Sequence, residues 1–360
     1  MEKYKVTSER EQSAYDVMSS LIGNVIKLDI DEIEGYEFPL DEPFGLLIPY
    51  NNELYSFIIK FSSKNKNLIC MGPGARNRDQ LDKNGNVMKP PFFVRWSWHE
   101  YFDESVIAYA DPVMDHMDDI AITWFVGDDE HWPLQDIALI FEKLTANQNI
   151  LHENILFYGS SGGGFSAFVL GTLIKNSHIL VNNPQFFVLN YGKQFVDKLF
   201  ELLKIEFNGL SREEIIEKIA YRIDAIELFK RESYIPPMTY YLNSKSKIDM
   251  KLQFPKLTEA YFDLENVNPF KIIMYEDPEI ERPHNPLPNK DTIDIIKLFC
   301  KNHMYNTGDE SKGSEIISKG HYDDSIINGE FNSKAKELAA IKSSKTYMLW
   351  RKYLKFKSKF

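Results

Sequence analysis

The segment best suited to chemistry is the turn Gly-Ser-Ser-Gly-Gly at residues 159–163. It follows a short apolar run at 155–158 and precedes an apolar stretch at 165–174 that is long enough for a buried helix. A serine on such a strand-to-helix turn, with glycines two residues before and after it, projects its hydroxyl above the sheet edge. The amino end of the next helix offers free N–H groups to an oxyanion. The pattern predicts that Ser161 is a nucleophile in acyl transfer.

The elements around this turn alternate as they do in a parallel sheet. Between about residues 100 and 185 strands and helices alternate, which implies parallel strands with helices on both faces. The strands are predicted at 105–110, 121–126, 155–158 and 178–181, and the helices at 133–144 and 165–174. Two amphipathic helices without an intervening strand then predict a helical cap insertion at about 190–235.

Ser161 with its flanking glycines, and Asp249 and His284 downstream, resemble the α/β-hydrolase superfamily. That resemblance implies an α/β protein of the α/β-hydrolase fold, with a mostly parallel central sheet, helices on both faces and the helical cap. The core is expected to span residues 43–302. Residues 1–42 are interpreted as an N-terminal extension, and residues 303–360 as a C-terminal extension with a basic, aromatic tail.

A nucleophilic serine needs a histidine base, and the base needs a carboxylate that orients it. In this fold the chain order is serine, acid, histidine. Asp249 lies shortly after the predicted strand 238–242, and His284 follows the predicted strand 270–275. Both positions suit the acid and the base of a Ser161–His284–Asp249 triad.

Rival residues exist for both roles. Asp277 follows the strand expected to precede the histidine, and Asp263 is expected on a helix, so both suit the acid less well. His321 is an alternative base because it sits in a Gly-His-Tyr segment, although no clear strand precedes it.

The second oxyanion donor is expected from the glycine-bearing loop after the predicted strand 67–71. A backbone N–H of Gly74, Ala75 or Arg76 would pair there with the N–H of Gly162. An ordinary tight turn is the competing interpretation of this loop.

Composition narrows the function classes. A net charge of −11 argues against nucleic-acid binding, which needs a broad basic surface. No metal site is expected, because no acidic or histidine cluster has ligand spacing. The sequence shows no signal peptide, no long apolar span and only two cysteines, which predicts a cytoplasmic protein.

The C-terminal segment is the exception to the acidic composition. Residues 341–360 carry seven Lys or Arg and no acid. The tail 345–360 would suit peripheral contact with an anionic membrane surface, such as the inner membrane face, or with an acidic polymer. A docked or frayed terminal helix is the plainer interpretation.

Three short segments narrow the resemblance within the α/β-hydrolase superfamily. Residues 74–78 (Gly-Ala-Arg-Asn-Arg), 158–164 (Tyr-Gly-Ser-Ser-Gly-Gly-Gly) and 182–185 (Asn-Asn-Pro-Gln) resemble hydrolase-like proteins of bacterial capsule and exopolysaccharide biosynthesis. That resemblance implies a glycan O-acetyltransferase or esterase. The chain departs from the usual hydrolase pattern in lacking a glycine before His284 and in its long tail after residue 302.

The expected function is a serine-dependent esterase or O-acetyltransferase acting on a glycan or another acylated small molecule. It needs no cofactor, apart from an acyl donor such as acetyl-CoA if it is a transferase. Two alternatives stay open: a non-catalytic protein of the same fold that binds glycan in a polysaccharide assembly system, and a peptidase. An aromatic cluster would serve such binding or the core (Phe92, Phe93, Trp96, Trp98, His99, Tyr101).

Overall fold

The computed structural model describes residues 7–76, 87–116, 120–261, 264, 268 and 270–305. Its centre is one sheet of nine strands in the order β1-β2-β3-β5-β4-β6-β7-β8-β9. Only the pairs β2–β3 and β3–β5 are antiparallel, so the sheet is mostly parallel, as predicted. The strands are β1 (Val25–Lys27), β2 (Phe44–Tyr50), β3 (Glu53–Lys60), β4 (Leu68–Met71), β5 (Ser105–Tyr109), β6 (Ile155–Ser161), β7 (His178–Pro184), β8 (Met238–Asn243) and β9 (Phe270–Tyr275).

Helices cover both faces of the sheet. The described helices are α1 (Ser8–Ile22), α2 (Pro133–Gln148), α3 (Gly162–Leu173), α4 (Lys193–Glu206), α5 (Arg212–Lys218), α6 (Ala220–Ile223), α7 (Ala225–Glu232), α8 (Phe254–Tyr261) and α9 (Asn289–His303). Alternate residues of β6 point to opposite faces, as a strand requires. Ile155 and Phe157 pack with α2 and α3, whereas Leu156 and Tyr158 pack with α9.

The first strand and helix belong to this architecture. β1 pairs in parallel with β2, and Ala14 and Met18 of α1 pack on side chains of β2 and β3. The sheet therefore begins before residue 43, within the segment interpreted as an extension.

Between β7 and β8 the chain forms the four helices α4 to α7, where the sequence pattern predicts two. The second predicted helix is divided into three short ones.

The strand predicted at 121–126 is wrong. This run is a loop that turns at Trp124 and Phe125, which both have positive φ. The buried carboxylate of Asp111 holds the loop, because it accepts hydrogen bonds from Thr123 Oγ1 at 2.6 Å and from Phe125 N at 2.8 Å. An apolar run of this length does not by itself distinguish a strand from a buried loop.

No helix among the described residues combines the length and apolar character needed to cross a membrane.

Candidate active site

Ser161 stands where β6 ends and α3 begins. Its backbone has φ 52° and ψ −126°, a strained conformation for a residue with a side chain. The turn is this tight because glycine surrounds it: a Cβ at Gly159 would lie 2.1 Å from the carbonyl oxygen of Gly163. A Cβ at Gly163 would lie 2.7 Å from the carbonyl oxygen of Gly72. The glycines therefore allow the strained turn that presents the Ser161 hydroxyl.

The imidazole of His284 bridges Ser161 and Asp249. Its Nε2 lies 2.9 Å from Ser161 Oγ, and its Nδ1 lies 2.9 Å from Asp249 Oδ2 and 3.1 Å from Oδ1. The Asp249 side chain is fully buried, whereas the His284 side chain is 24% exposed. Because a carboxylate only accepts hydrogen bonds, it favours the tautomer with the proton on Nδ1. Nε2 is then free to accept the Ser161 proton.

Asp249 is held by its own local structure. It is the first residue of a single π-helical turn, Asp249–Gln253, that follows β8. The hydroxyl of Ser246 donates a hydrogen bond to Asp249 Oδ2, the oxygen that also faces His284. The carboxylate therefore has a fixed orientation and no exposed surface.

The loop that carries His284 is pinned by the end of β7. Asn183 Nδ2 lies 3.1 Å from Pro283 O, 3.3 Å from His284 O and 3.0 Å from Asn285 O. Asn183 Oδ1 accepts from the backbone N of Asn243 at 2.8 Å, so the same side chain also contacts the end of β8. This fully buried amide positions the histidine through main-chain atoms.

The loop after β4 lies beside the amino end of α3. A Cβ added at Gly74 would lie 3.9 Å from Gly163 N and 4.0 Å from Gly162 N. The first N–H groups of a helix lack partners within the helix, so Gly162 N–H is suited to an oxyanion. The N–H of Arg76, however, donates to Ala121 O at 2.9 Å. Gly74 and Ala75 are therefore the better candidates for the second donor.

No protein-family model matches the sequence, and a search of curated proteins finds no match. Solved structures of the capsule O-acetyltransferase of Neisseria meningitidis serogroup A do match. One has a TM-score of 0.52 at 14% identity, covering 70% of this chain and 96% of the other. A complex of that enzyme with caged gadolinium gives 0.54 at 15% identity, with 76% and 99% covered. A mutant in complex with CoA gives 0.53 at 16% identity, with 70% and 93% covered. The chain has the α/β-hydrolase fold.

Within this α/β-hydrolase fold, the site lies at the carboxyl ends of four neighbouring parallel strands. Ser161 ends β6, Asn183 lies in β7, Asp249 follows β8 and His284 follows β9. These strands are adjacent in the sheet in that same order. Ligands of open α/β sheets bind at the carboxyl ends of the strands, so this edge has the expected place for a substrate.

Gln185 contacts Ser161, although in the sequence it stands out only as the last residue of the segment 182–185. Its side chain is fully buried, and its Nε2 lies 3.0 Å from Ser161 Oγ. Its Oε1 accepts a hydrogen bond from Trp124 Nε1. The contact between Gln185 and Trp124 could not be predicted from the sequence. The two residues lie 61 positions apart, and Trp124 sits in the loop that the sequence pattern predicts to be a strand.

Arg95 flanks the turn at Ser161 on the α9 side. Its Nη2 donates to Ser160 Oγ at 3.0 Å, and its guanidinium carbon lies 5.2 Å from the ring centres of both Trp98 and Tyr158. Among the residues that the structure describes, no carboxylate pairs with Arg95. A half-buried cation thus contacts Ser160, which precedes Ser161 in the chain.

Aromatic side chains line the other side of Ser161. Burial raises the pKa of Tyr191, and a hydrogen bond with Ser161 opposes that rise. The ring of Tyr191 packs edge-on against Trp124 at 5.8 Å and lies 6.1 Å from the His284 ring. The rings of Tyr191 and Trp124 therefore form an apolar wall beside Ser161.

The aromatic cluster at 92–101 is mainly packed inside. Phe92 is buried beneath the guanidinium of Arg76, at 3.4 Å, and Trp98 and His99 are also buried. Tyr101 is 50% exposed. His321 and the tail 345–360 lie outside the described residues, so the alternative base and the surface contact stay predictions.

Proposed function

We propose that this chain is a serine-dependent acyl-transfer enzyme, an esterase or an O-acetyltransferase, that works through an acyl-Ser161 intermediate. One observation carries the proposal: Ser161 Oγ, His284 and the buried Asp249 form a continuous hydrogen-bonded chain, with 2.9 Å at the Ser161–His284 step and at the shorter His284–Asp249 contact. A base within hydrogen-bonding distance of a hydroxyl, and itself oriented by a carboxylate, is the general arrangement for activating serine.

In the first half-reaction, Ser161 Oγ attacks the carbonyl carbon of the acyl donor while its proton moves to His284 Nε2. The carbonyl oxygen takes the electron pair and becomes an oxyanion. The N–H groups of Gly162 and of Gly74 or Ala75 would stabilise it, and each such donor is worth about 10²–10³ in rate. When the carbonyl reforms, the bond to the leaving group breaks and His284 returns the proton to that group.

In the second half-reaction, His284 takes a proton from the acceptor, whose oxygen attacks the acyl carbon. Oγ then leaves and recovers the proton from His284. The acceptor is water in an esterase and a hydroxyl of a sugar in a transferase. The buried Asp249 stabilises the imidazolium formed in both half-reactions.

The substrate class is the finer part of the proposal. A glycan hydroxyl as acceptor, and acetyl-CoA as donor, are supported by the structural likeness to a capsule O-acetyltransferase, of which a mutant was solved in complex with CoA. Arg95 is half-buried and contacts Ser160, the residue before Ser161 in the chain. Its guanidinium would suit an anionic group on such a donor or acceptor.

The test consists of two separate assays. One is covalent labelling with a fluorophosphonate probe, and the other is hydrolysis of p-nitrophenyl acetate by unlabelled protein. Wild type should be labelled on Ser161 and should release nitrophenol with an initial burst. Ser161→Ala should lose both, and His284→Ala should lose nearly all of both. His321→Ala should keep both, and a loss there with an active His284→Ala would transfer the role of base to His321.

The transferase question needs a second measurement. Acetyl-CoA is supplied with and without an acidic polysaccharide, and free thiol is followed together with acetyl ester on the polymer. Ester formation supports the transferase, and thiol release into water alone supports the esterase. Cleavage of peptide amides in preference to acetyl esters would support a peptidase. Absence of labelling of the folded wild-type chain would overturn the proposal in favour of a non-catalytic binding protein.

A further inference from the structure

Gln185 contacts the reacting atom of the proposed reaction. It directly follows β7, its side chain has no exposed surface, and its Nε2 lies 3.0 Å from Ser161 Oγ. Its backbone N–H also donates to Ser161 O at 3.0 Å. Main chain and side chain of this residue are therefore both tied to the nucleophile.

The orientation of the Gln185 amide follows from its other neighbour. An amide can be turned so that either its oxygen or its nitrogen faces a given partner. Trp124 Nε1 is a donor only, so the atom that it contacts must be the oxygen of Gln185. The nitrogen then faces Ser161 Oγ, and a buried N–H points at the hydroxyl oxygen.

A donor in this place acts on charge at Oγ. The Ser161 proton is directed to His284 Nε2, so the Gln185 N–H must use a lone pair of Oγ. Negative charge develops on Oγ when its proton leaves during attack, and again when the acyl–oxygen bond breaks in the second half-reaction. A fixed donor in a buried site stabilises such charge without reorganisation.

We propose that Gln185 is a catalytic residue, which donates a hydrogen bond to Ser161 Oγ in both half-reactions, with Trp124 fixing the direction of its amide. This inference rests on the proposed function. It adds a donor to the nucleophile oxygen, separate from the N–H groups that serve the carbonyl oxygen. No bond to Gln185 is formed or broken, and its proton stays on the amide nitrogen.

The experiment measures two rates in wild type, Gln185→Met and Gln185→Glu. The first is the rate of labelling by the fluorophosphonate, in which Oγ bonds to phosphorus, fluoride leaves and the Ser161 proton passes through His284. The second is the steady-state turnover of p-nitrophenyl acetate after the burst, which reports deacylation. Gln185→Met has no donor, so both rates should fall about 10²-fold.

Gln185→Glu tests hydrogen-bond donation through the pH dependence of the labelling rate, which a role in packing alone would not change. A glutamic acid at this place can donate to Oγ while protonated and cannot when ionised, and burial favours the protonated form. The labelling rate of Gln185→Glu relative to wild type should therefore decline as pH rises. The same ratio for Gln185→Met should stay flat with pH.

Two further variants separate chemistry from folding. Thr172→Val is the matched control, since Thr172 is fully buried on α3 and its Oγ1 donates within the same helix, to Phe168 O at 2.7 Å. It should keep wild-type rates at a similar melting temperature. Trp124→Phe leaves Gln185 in place but frees its amide, and should give a loss smaller than that of Gln185→Met.

The outcomes are distinct for the two proposals. Wild-type labelling at Ser161 together with unchanged rates in Gln185→Met would overturn the role of Gln185 alone. Reduced rates in Gln185→Met with a pH-independent ratio in Gln185→Glu would assign it a packing role and also overturn the inference. A folded wild type that is not labelled removes the proposed function, and the role of Gln185 with it.

Discussion

The carboxylate of Asp249 sets the state of the imidazole beside it, and this gives the first prediction at the scale of single residues. In Asp249→Asn the amide can present its NH₂ to His284 Nδ1, which favours the tautomer whose proton sits on Nε2 and blocks transfer from Ser161. Turnover of p-nitrophenyl acetate should fall about 10⁴-fold, with little change in KM. Ser246→Ala is the control, because it removes one donor to the carboxylate and leaves the carboxylate itself. Its loss should be far smaller, and equal losses in the two variants would contradict this role of Asp249.

The glycine two residues before Ser161 gives a second prediction at this scale. A Cβ at Gly159 would lie 2.1 Å from the main-chain oxygen of Gly163, so Gly159→Ala must shift backbone on both sides of Ser161. We expect loss of fluorophosphonate labelling and a melting temperature lower by several degrees. Gly35→Ala is the control, since nothing lies within 4 Å of a Cβ there and its φ is not positive. Normal labelling of Gly159→Ala would show that the strained turn is not required.

At the scale of elements, the end of β7 acts as the support of the histidine loop. Asn183 is at φ 44°, so the informative change is Asn183→Asp, which tolerates that backbone and keeps the acceptor for Asn243 N. It replaces an NH₂ group, which has two protons for the carbonyls of 283–285, by a carboxyl that has at most one and has none when ionised, so these contacts cannot all be kept. Displacement of His284 by about 1 Å is enough to lower kcat/KM by about 10²-fold.

The control for this change is Asn147→Asp. The Nδ2 of Asn147, on α2, likewise lies within hydrogen-bonding distance of three main-chain carbonyls, at 2.9 Å from Ile33 O, 3.2 Å from Glu34 O and 3.0 Å from Tyr36 O. It should keep the wild-type kcat/KM, measured on the same ester. If Asn183→Asp is as active as this control and equally stable, β7 does not position the base.

At this scale, a feature could be predicted from the sequence when its contacting residues lie close together along the chain. The turn at Ser161 is readable because the strand, the glycines and the helix lie within about twenty consecutive residues. The placement of Asp249 and His284 used only the order of elements. Asn183 and Gln185 escaped prediction because their partners, His284 and Trp124, are 101 and 61 positions away. The loop at 121–126 was not predicted, because its conformation depends on hydrogen bonds to the buried carboxylate of Asp111 and not on its own apolar pattern.

At the scale of the whole molecule, the residues of the site lie side by side in the same order in which they occur along the chain. Four consecutive parallel strands, β6 to β9, bring Ser161, Asn183, Asp249 and His284 to one edge in sequence, which gives the proposed nucleophile, the amide support, the acid and the base. A defect in any of these strands therefore changes distances within the site. Stability of the sheet and activity should be linked, which makes the stability of the chain against pH informative.

Two buried carboxyls that follow β5, Asp111 and Asp115, should make that stability depend on pH. Burial raises the pKa of Asp115 to about 8, although Arg10 lowers it, and burial raises the pKa of Asp111 to about 7, although three hydrogen bonds lower it. Glu53 and Arg76 also face this region, the first raising and the second lowering the pKa of Asp115. In the unfolded chain both carboxyls titrate near 3.8. The folded chain therefore binds more protons than the unfolded chain between about pH 4 and pH 8.

The sign of the effect follows from that difference in bound protons. The stability from the two protonated carboxyls is fully present below about pH 4 and is lost as pH rises towards 8, by about 1 kcal/mol per pH unit for each group. Asp115→Asn should remove one part of this slope, and unfolding by urea at several pH values between 5 and 9 measures it. Asp197→Asn is the control, because this exposed carboxylate has a lowered pKa and titrates below the window. An equal slope in wild type and Asp115→Asn would show that Asp115 ionises in the folded chain as it does in water.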